Sequence, residues 1–277
     1  MERRTIIQII STALANGYLI GFMKGKIYQG DLKAVCVPGL NCYSCPGAIG
    51  SCPIGAVQAV IGGKDKNFAF YAIGVIILFG VIFGRLICGF LCPFGFLQDL
   101  LYKIKTPKLK VPDIIDKYLR YLKYIMLVVL VIGLPMIATN AFGMSDPFFC
   151  KWVCPVGTLE GGIPLVLTNA SLRNSLGFLF GFKMFILVGI ILLSIVVYRP
   201  FCKYLCPLGA CYGLLNKYSF YQMKIDTDKC TSCNACNKAC KMNVNVTKNI
   251  NSPECIRCGL CKSVCKSKAI ESGFNLK

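Results

Sequence analysis

The sequence predicts a mainly α-helical, polytopic membrane protein that ends in a small cysteine-rich domain. Hydrophobic residues make up 55% of its 277 residues and charged residues only 16%, unlike an average soluble domain. Four apolar stretches are long enough to cross a hydrocarbon core about 30 Å thick. From Lys224 onward the chain turns polar and dense in cysteine. These observations predict a four-helix membrane domain over residues 1–223 and a soluble domain over residues 224–277.

The four apolar stretches are expected to form transmembrane helices. They are Thr5–Met23, Phe68–Ile87, Tyr121–Phe142 and Leu176–Tyr198. The segment between the second and third stretches is rich in lysine, and lysine and arginine accumulate in short cytoplasmic loops. We therefore expect a multi-pass protein of the cytoplasmic (inner) membrane, with both termini and the cysteine-rich domain in the cytoplasm.

The composition indicates that any redox or metal site in this chain depends on cysteine sulfur. The chain has nineteen cysteines and no histidine, which excludes His-ligated haem, Rieske centres and Ser-His-Asp catalysis. The net charge of +19 alone could suggest nucleic acid. In so apolar a chain, membrane lipid and acidic protein carriers are the expected partners instead, so we expect no haem and no nucleic acid.

A motif recurs along the chain and indicates a duplication. The segment Arg85–Gly95 is repeated as Arg199–Gly209, and the Cys-Pro-x-Gly element within it also occurs at Cys52 and Cys154. The spans therefore pair as two like-oriented helical hairpins, related by an axis along the membrane normal. The segment Ile54–Ile61 is either a re-entrant half-helix buried in protein or an outer surface loop.

Two matching runs with the spacing Cys-x-x-Cys-x-x-Cys-x-x-x-Cys occupy the carboxyl-terminal domain. In such runs three cysteines hold one [4Fe–4S] cluster and the fourth reaches the other cluster. The predicted ligands are Cys230, Cys233, Cys236 and Cys265 for the first cluster, and Cys255, Cys258, Cys261 and Cys240 for the second. The alternative is a zinc or disulfide scaffold, but zinc does not require two matching runs.

Eleven cysteines lie outside these runs. The duplicated motifs predict an inner membrane cluster held by Cys88, Cys92, Cys202 and Cys206. On the outer side we expect a further centre, for which the candidates are Cys42, Cys45, Cys52, Cys150 and Cys154, with either Cys42 or Cys45 completing the set. The alternatives are buried thiols that act as small hydrophobes and outer-face disulfides. Cys211 has no repeat counterpart and is interpreted as a spectator.

The whole chain resembles the membrane-bound polyferredoxins of the NapH and NosR type, on the motifs Cys88–Pro93, Cys202–Pro207 and Cys230–Cys265. The last segment is similar to a bacterial two-cluster ferredoxin, except that Lys241 and Lys266 replace the prolines usual after each fourth cysteine. The resemblance implies electron transfer across or into the cytoplasmic membrane, serving an extracytoplasmic reductase or flavoprotein. The large flavin-binding domain of the NosR branch is missing from this sequence.

We therefore expect an electron-transfer subunit of a membrane oxidoreductase complex, without catalytic residues of its own. Its donor would be an acidic soluble carrier, a ferredoxin or flavodoxin, and its acceptor an extracytoplasmic flavoprotein or reductase subunit. Quinone ranks second because the chain has no histidine to move protons. A hydrocarbon core about 30 Å thick predicts a wide gap between the inner and outer centres, which a further cofactor, a quinone or a partner subunit would bridge.

Two other functions stay open. A maturation factor or reductase would act on a metal or a disulfide through Cys36, Cys42, Cys45 or Cys52. A simple membrane anchor would carry a ferredoxin domain that works alone.

Overall fold

The computed structural model describes residues 2–64, 69–141 and 143–274. The fold is mainly helical. The helices are α1 (Glu2–Ala15), α2 (Leu19–Lys24), α3 (Pro53–Ile61), α4 (Phe70–Phe83), α5 (Leu86–Phe90), α6 (Pro93–Tyr102), α7 (Asp113–Ile137), α8 (Phe149–Val153), α9 (157–168), α10 (Ala170–Asn174), α11 (Phe178–Val196), α12 (Pro200–Tyr204), α13 (Pro207–Leu215), α14 (Ala235–Ala239) and α15 (Leu260–Val264). Helix α8, the first half of α9 and the middle of α7 are wound as π-helix.

Two helices of the described part of the chain, α7 and α11, are long and apolar enough to cross a membrane. They lie where the third and fourth spans were predicted. The second predicted span corresponds to α4, an apolar helix of 14 residues. Two predicted boundary residues, Phe68 and Phe142, lie outside the described residues. The four-span topology therefore stays a prediction.

The first predicted span is divided into α1 and α2. Its polar side chains face the protein. Gln8 donates to the carbonyl oxygen of Gly89 at 3.0 Å, and Ser11 donates to that of Leu91 at 2.9 Å. Helix α1 thus packs on the duplicated motif, which explains the polar residues of this stretch.

The duplicated motif folds twice into the same unit. Helices α5 and α6 form the first copy, and α12 and α13 form the second. In α6 and α13 the Cys-Pro cysteine precedes the helix and proline occupies its first turn, where a missing N–H costs nothing. Helix α3 begins in the same way at Pro53. The segment Ile54–Ile61 is therefore helical, with Ile54, Val57 and Ile61 buried.

The carboxyl-terminal segment forms a small domain with its own core. Strand β1 (Tyr221–Ile225) pairs antiparallel with β2 (Ile270–Phe274), and Tyr221 lies opposite Phe274. A second core of buried side chains lies beneath the sheet: Met223, Val246, Ile250, Cys261 and Ile270. The predicted boundary after Met223 falls inside β1 and stays a prediction.

Buried charges attach this domain to the helices. Glu254 pairs with Arg85 at 2.9 Å and also with Lys123, and both cationic side chains are fully buried. Arg257 donates to the carbonyl oxygens of Phe83 at 2.8 Å and Asn216 at 2.6 Å. Removing one partner of a buried ion pair typically costs about 3–5 kcal/mol, so these contacts fix the orientation of the domain.

Candidate iron–sulfur centres

All nineteen cysteines lie in the described part of the chain, and each is a free thiol. Among the described residues no group of three or more Cys, Asp or Glu is arranged around a single metal ion. A [4Fe–4S] cluster is larger than a single metal ion, so the four thiolates that bind it lie farther apart than the ligands of one ion. Sixteen of the thiols fall into four groups of four.

The distal group lies at the far end of the carboxyl-terminal domain. Its members line one small cavity: Cys230, Cys233, Cys236 and Cys265. Ser232 and Asn234 adopt left-handed backbone conformations, with φ of 51° and 56°. Alternating conformations of this kind point successive N–H groups into a concavity that suits anionic iron–sulfur clusters. The amide of Ala235 accordingly lowers the pKa of the Cys233 thiol.

The proximal group lies between the distal group and the helices. It consists of Cys240, Cys255, Cys258 and Cys261. Burial, followed by the other three thiols, raises the pKa of Cys261 to about 12. Arg257 and Gly259 repeat the left-handed conformations of the first run, with φ of 52° and 76°. The structure thus brings together the two ligand sets expected from the sequence.

The inner tetrad consists of the four cysteines of the duplicated motif: Cys88, Cys92, Cys202 and Cys206. All four are buried. Burial, followed by the thiols of the other three, raises the pKa of Cys206 well above its ordinary value. Only a site that offers positive charge or hydrogen bonds could keep four such thiols ionised.

Backbone amides at helix starts supply part of that stabilisation. Gly209 N–H donates to Cys206 Sγ at 3.3 Å, and Gly95 N–H acts in the same sense on Cys92. A Cβ atom added at Gly95 would lie 2.9 Å from the carbonyl oxygen of Cys88, and one at Gly209 would lie 3.2 Å from that of Cys202. In each copy the glycine of Cys-Pro-x-Gly therefore lets its helix pack closely on the preceding turn. It also leaves room for the arginine of the other copy, because a Cβ atom at Gly95 would lie 3.2 Å from Arg199 Nη1 and one at Gly209 would lie 3.3 Å from Arg85 Nη2.

Two fully buried arginines join the copies across the inner tetrad. Arg85 donates to the carbonyl oxygen of Cys202 at 2.9 Å, and Arg199 donates to that of Cys88 at 2.5 Å. Each arginine precedes the first cysteine of its own copy by three residues and reaches the other copy. Their positive charges oppose the negative charge that four thiolates would carry. Buried thiols, amide donors and cations together fit a [4Fe–4S] cluster.

The outer tetrad consists of Cys42, Cys52, Cys150 and Cys154. Burial and then the thiols of the other three raise the pKa of Cys154. The amide of Gly157 opposes this shift, as Gly209 does at Cys206. Among the open candidates the structure places Cys42 in this group. Cys45 lies behind it, where its thiol donates to Asn16 Oδ1 at 3.5 Å.

Charged side chains also surround the outer tetrad. Lys183 donates to the carbonyl oxygen of Cys150 at 3.1 Å, and Glu160 accepts from the backbone N–H of Cys42 at 3.0 Å. Burial raises the pKa of Glu160 to about 7. The outer tetrad thus has the same kinds of donors as the inner one and fits the same type of cluster.

The wide gap expected between the two tetrads is wrong. The backbone amide of Leu40 lies against the Cys92 thiol, and the next amide, that of Asn41, lies against the Cys52 thiol. Consecutive Cα atoms are only about 3.8 Å apart. Residues 36–52 fold inward against the Cys-Pro turn, where a Cβ atom at Gly39 would lie 3.2 Å from Cys92 Cα. The gap was predicted from the thickness of the hydrocarbon core, with the two centres on its opposite sides.

The proximal group packs against the core that holds the inner tetrad. Cys240, Cys255 and Cys258 pack against the core that contains Cys88 and Cys92. A Cβ atom at Gly89 would lie only 2.5 Å from the carbonyl oxygen of Ile256. The four groups therefore form a row in the order distal, proximal, inner and outer.

Several residues of these sites were not predicted. Arg85 and Arg199 stood in the repeat without an assigned role, and their equal spacing from Cys88 and Cys202 was the available signal. Leu40 contacts Cys92 through the inward fold of the loop, for which the re-entrant alternative at Ile54–Ile61 was the nearest available signal. Cys36, with its thiol 3.7 Å from Ser51 Oγ, and Cys211 lie outside the four groups.

Comparison with known proteins identifies the sequence family. A 4Fe–4S binding domain matches residues 67–112, 124–163 and 179–227, and a 4Fe–4S dicluster domain matches residues 222–266. The chain is 33% identical to the uncharacterized protein MJ0750 of Methanocaldococcus jannaschii, over 82% of this chain and 87% of that protein. No solved structure matches it significantly.

Two further relatives have descriptive names. The methylamine utilization ferredoxin-type protein MauN of Methylorubrum extorquens is 26% identical over 68% of this chain and 59% of its own length. The ferredoxin-type protein NapH of Haemophilus influenzae is 28% identical over 60% of this chain and 51% of its own length. The chain spans between half and three fifths of these two relatives. It belongs to the NapH-type family of polyferredoxins and is a ferredoxin-type, iron–sulfur electron-transfer protein.

Proposed function

We propose that the chain conducts electrons along four [4Fe–4S] centres, from the distal group through the proximal group and the inner tetrad to the outer tetrad. Such clusters, when bound, supply one-electron redox chemistry at low potential. The observation that carries the proposal is the close packing at two junctions of the row. Gly89 touches Ile256 at one junction, and the consecutive amides of Leu40 and Asn41 link the tetrads at the other.

The chain's own residues hold and insulate the path. Arg85 and Arg199 place positive charge beside the inner tetrad, and Glu254 ties Arg85 to the carboxyl-terminal domain. Tyr212 is fully buried near thiols of both tetrads, and its hydroxyl donates to the carbonyl oxygen of Pro38 at 2.8 Å. These contacts exclude water from the junction and fix the distance between the two tetrads.

The proposal extends to location and partners. Helices α7 and α11 and the resemblance to NapH support a protein of the cytoplasmic membrane. The carboxyl-terminal domain would face the cytoplasm and accept electrons from an acidic ferredoxin or flavodoxin, drawn by its lysines. The outer tetrad would deliver them to an extracytoplasmic flavoprotein or reductase, or to quinone.

The maturation alternative requires accessible thiols, because thiol exchange depends on access to sulfur. Cys36 and Cys45 are only 5% and 1% exposed. Cys42 and Cys52 lie in the outer tetrad. These positions favour the relay over a thiol-exchange activity.

Metal content tests the relay directly. Full-length protein purified anaerobically should contain about sixteen irons per chain, from four [4Fe–4S] clusters. Replacing Cys88 and Cys202 with Ser should remove about four of them, whereas Cys211→Ser, which changes a thiol outside the groups, should remove none. About eight irons in the wild-type protein would contradict the relay. About twelve would mean that only one of the two tetrads holds a cluster.

A further inference from the structure

Two fully buried glutamines occupy equivalent positions beside the two tetrads. Gln58 and Gln98 each lie six residues after a Cys-Pro cysteine, Cys52 and Cys92 respectively. Glutamine is seldom buried without a specific partner. Each of these side chains reaches the opposite cysteine pair of its own tetrad.

The contacts are the same at both positions. Gln98 Nε2 donates to Cys202 Sγ at 3.0 Å, and Gln98 Oε1 accepts from the backbone N–H of Phe201 at 3.2 Å. Gln58 Nε2 donates to Cys150 Sγ at 3.2 Å, and its Oε1 accepts from the backbone N–H of Phe149 at 2.9 Å. In both cases the acceptor bond is to the residue just before the contacted cysteine.

These bonds determine which end of each amide faces sulfur. A backbone N–H can only donate, so the amide oxygen must face Phe201 or Phe149 and the NH2 group must face the thiol. The NH2 group also contacts the carbonyl oxygen one helical turn back, 3.4 Å away at Phe94 and 3.3 Å away at Ile54. The donor is therefore held rigidly toward sulfur.

The other two Cys-Pro-x-Gly elements carry different residues at this position. Glu160 follows Cys154 by six residues and accepts from a backbone N–H, and Tyr212 follows Cys206 by six and donates to Pro38. Each tetrad therefore has one glutamine, directed at the first cysteine of its second pair.

We propose that Gln98 and Gln58 are positioning residues that raise the reduction potentials of the inner and outer centres. The inference rests on the proposed function, because it requires clusters in both tetrads. Reduction adds negative charge to the cluster and its thiolates, so an N–H donor on sulfur stabilises the reduced state more than the oxidised one. Such outer contacts commonly tune a metal site.

Potentiometric titration followed by EPR tests the proposal on full-length, anaerobically purified protein. Gln98→Leu should lower the equilibrium constant for reduction of the inner centre by up to tenfold. That change corresponds to a fall of about 59 mV in its one-electron reduction potential. It should leave the other three centres unchanged. Gln58→Leu should shift only the outer centre. The matched control is Gln222→Leu, whose amide donates to Lys217 at 3.1 Å, and it should shift none.

A second pair of variants separates an effect on the potential from loss of the cluster through misfolding. Gln98→Glu and Gln58→Glu retain the acceptor for the backbone N–H but replace the donor with a carboxylate, so the potential should fall further than in the Leu variants. Wild-type iron content with unchanged potentials would overturn the glutamine assignment alone. Loss of the centre in both Leu and Glu variants would make the glutamines purely structural and would overturn it as well. Absence of both tetrad clusters from the wild-type protein would overturn the proposed function too.

Discussion

At the residue scale, Asp99 is the carboxylate on which the second copy of the motif depends. It accepts from Arg199 at 2.6 Å and 2.7 Å, from Arg4, and from Gln8 at 3.0 Å. Burial alone would raise the pKa of Asp99, but Arg199 and then Arg4 outweigh it, so the pKa lies below its ordinary value. The resulting stabilisation is present at neutral pH and is lost as the pH falls through the folded-state pKa.

We predict that Asp99→Asn destabilises the protein by about 3 kcal/mol, because it leaves Arg199 buried without its counter-charge. Thermal unfolding followed by circular dichroism should show a midpoint lower by several degrees. Asp146→Asn is the matched control, since Asp146 pairs with Lys151 where both side chains are substantially exposed, and such pairs contribute at most about 1 kcal/mol. Equal midpoints for the two variants would refute this role of Asp99.

The same residues show how far sequence reasoning could reach. The spacing of Cys230–Cys265 predicted two ligand sets that the structure brings together, because three ligands of each set are close in sequence and the matching run supplies the fourth. The choice of Cys42 over Cys45 was not predictable, since it depends on how residues 36–52 fold against the Cys92 turn. Gln58 and Gln98 could have been noticed from their shared spacing of six residues after Cys-Pro.

At the element scale, the duplication explains why α5–α6 and α12–α13 form one site between them. Each copy supplies an arginine, Arg85 or Arg199, to a carbonyl of the other. Neither copy can complete the site alone. The sequence predicted the repeat, but the exchange of contacts between copies required the tertiary structure. The same limit applied to α1, which is predicted to be part of a span: the sequence did not indicate that its polar face would donate to the backbone of Gly89 and Leu91.

Helix α5 also forms the junction with the carboxyl-terminal domain, through Gly89. We predict that Gly89→Ala slows electron transfer from the proximal group to the inner tetrad several-fold, because the added Cβ atom would lie 2.5 Å from the backbone oxygen of Ile256 and force the domain away. Rapid-mixing spectroscopy after reduction of the carboxyl-terminal domain should resolve this step, with iron content unchanged.

Gly74→Ala is the matched control for this step. Gly74 also lies in a helix, α4, and a Cβ atom there would meet no atom within 4 Å. Its transfer rate should equal that of the wild-type protein. A wild-type rate in Gly89→Ala would show that the close packing at Ile256 is irrelevant to the path.

At the scale of the whole molecule, the row of four cysteine groups gives the chain a direction in space. The distal group ends the carboxyl-terminal domain, and the outer tetrad lies beyond the inner one, joined to it at Leu40 and Asn41. Apolar helix α7 packs against α12 and α13, and apolar helix α11 packs against α6 and α12. Because the tetrads are neighbours, the proposed relay does not require the additional cofactor that a gap across the whole bilayer would require.

We therefore predict electron transfer across a sealed membrane by the chain together with its acceptor. In proteoliposomes with the carboxyl-terminal domain outside, an external reductant should reduce an enclosed, impermeant acceptor. Replacing both Cys150 and Cys154 with Ser should abolish that reduction while the distal and proximal groups still become reduced, because only the last site of the row is lost. Cys211→Ser should behave as the wild-type protein does. An undiminished rate in the double variant would mean that electrons reach the enclosed side without the outer tetrad, which would contradict its place as the last site of the row.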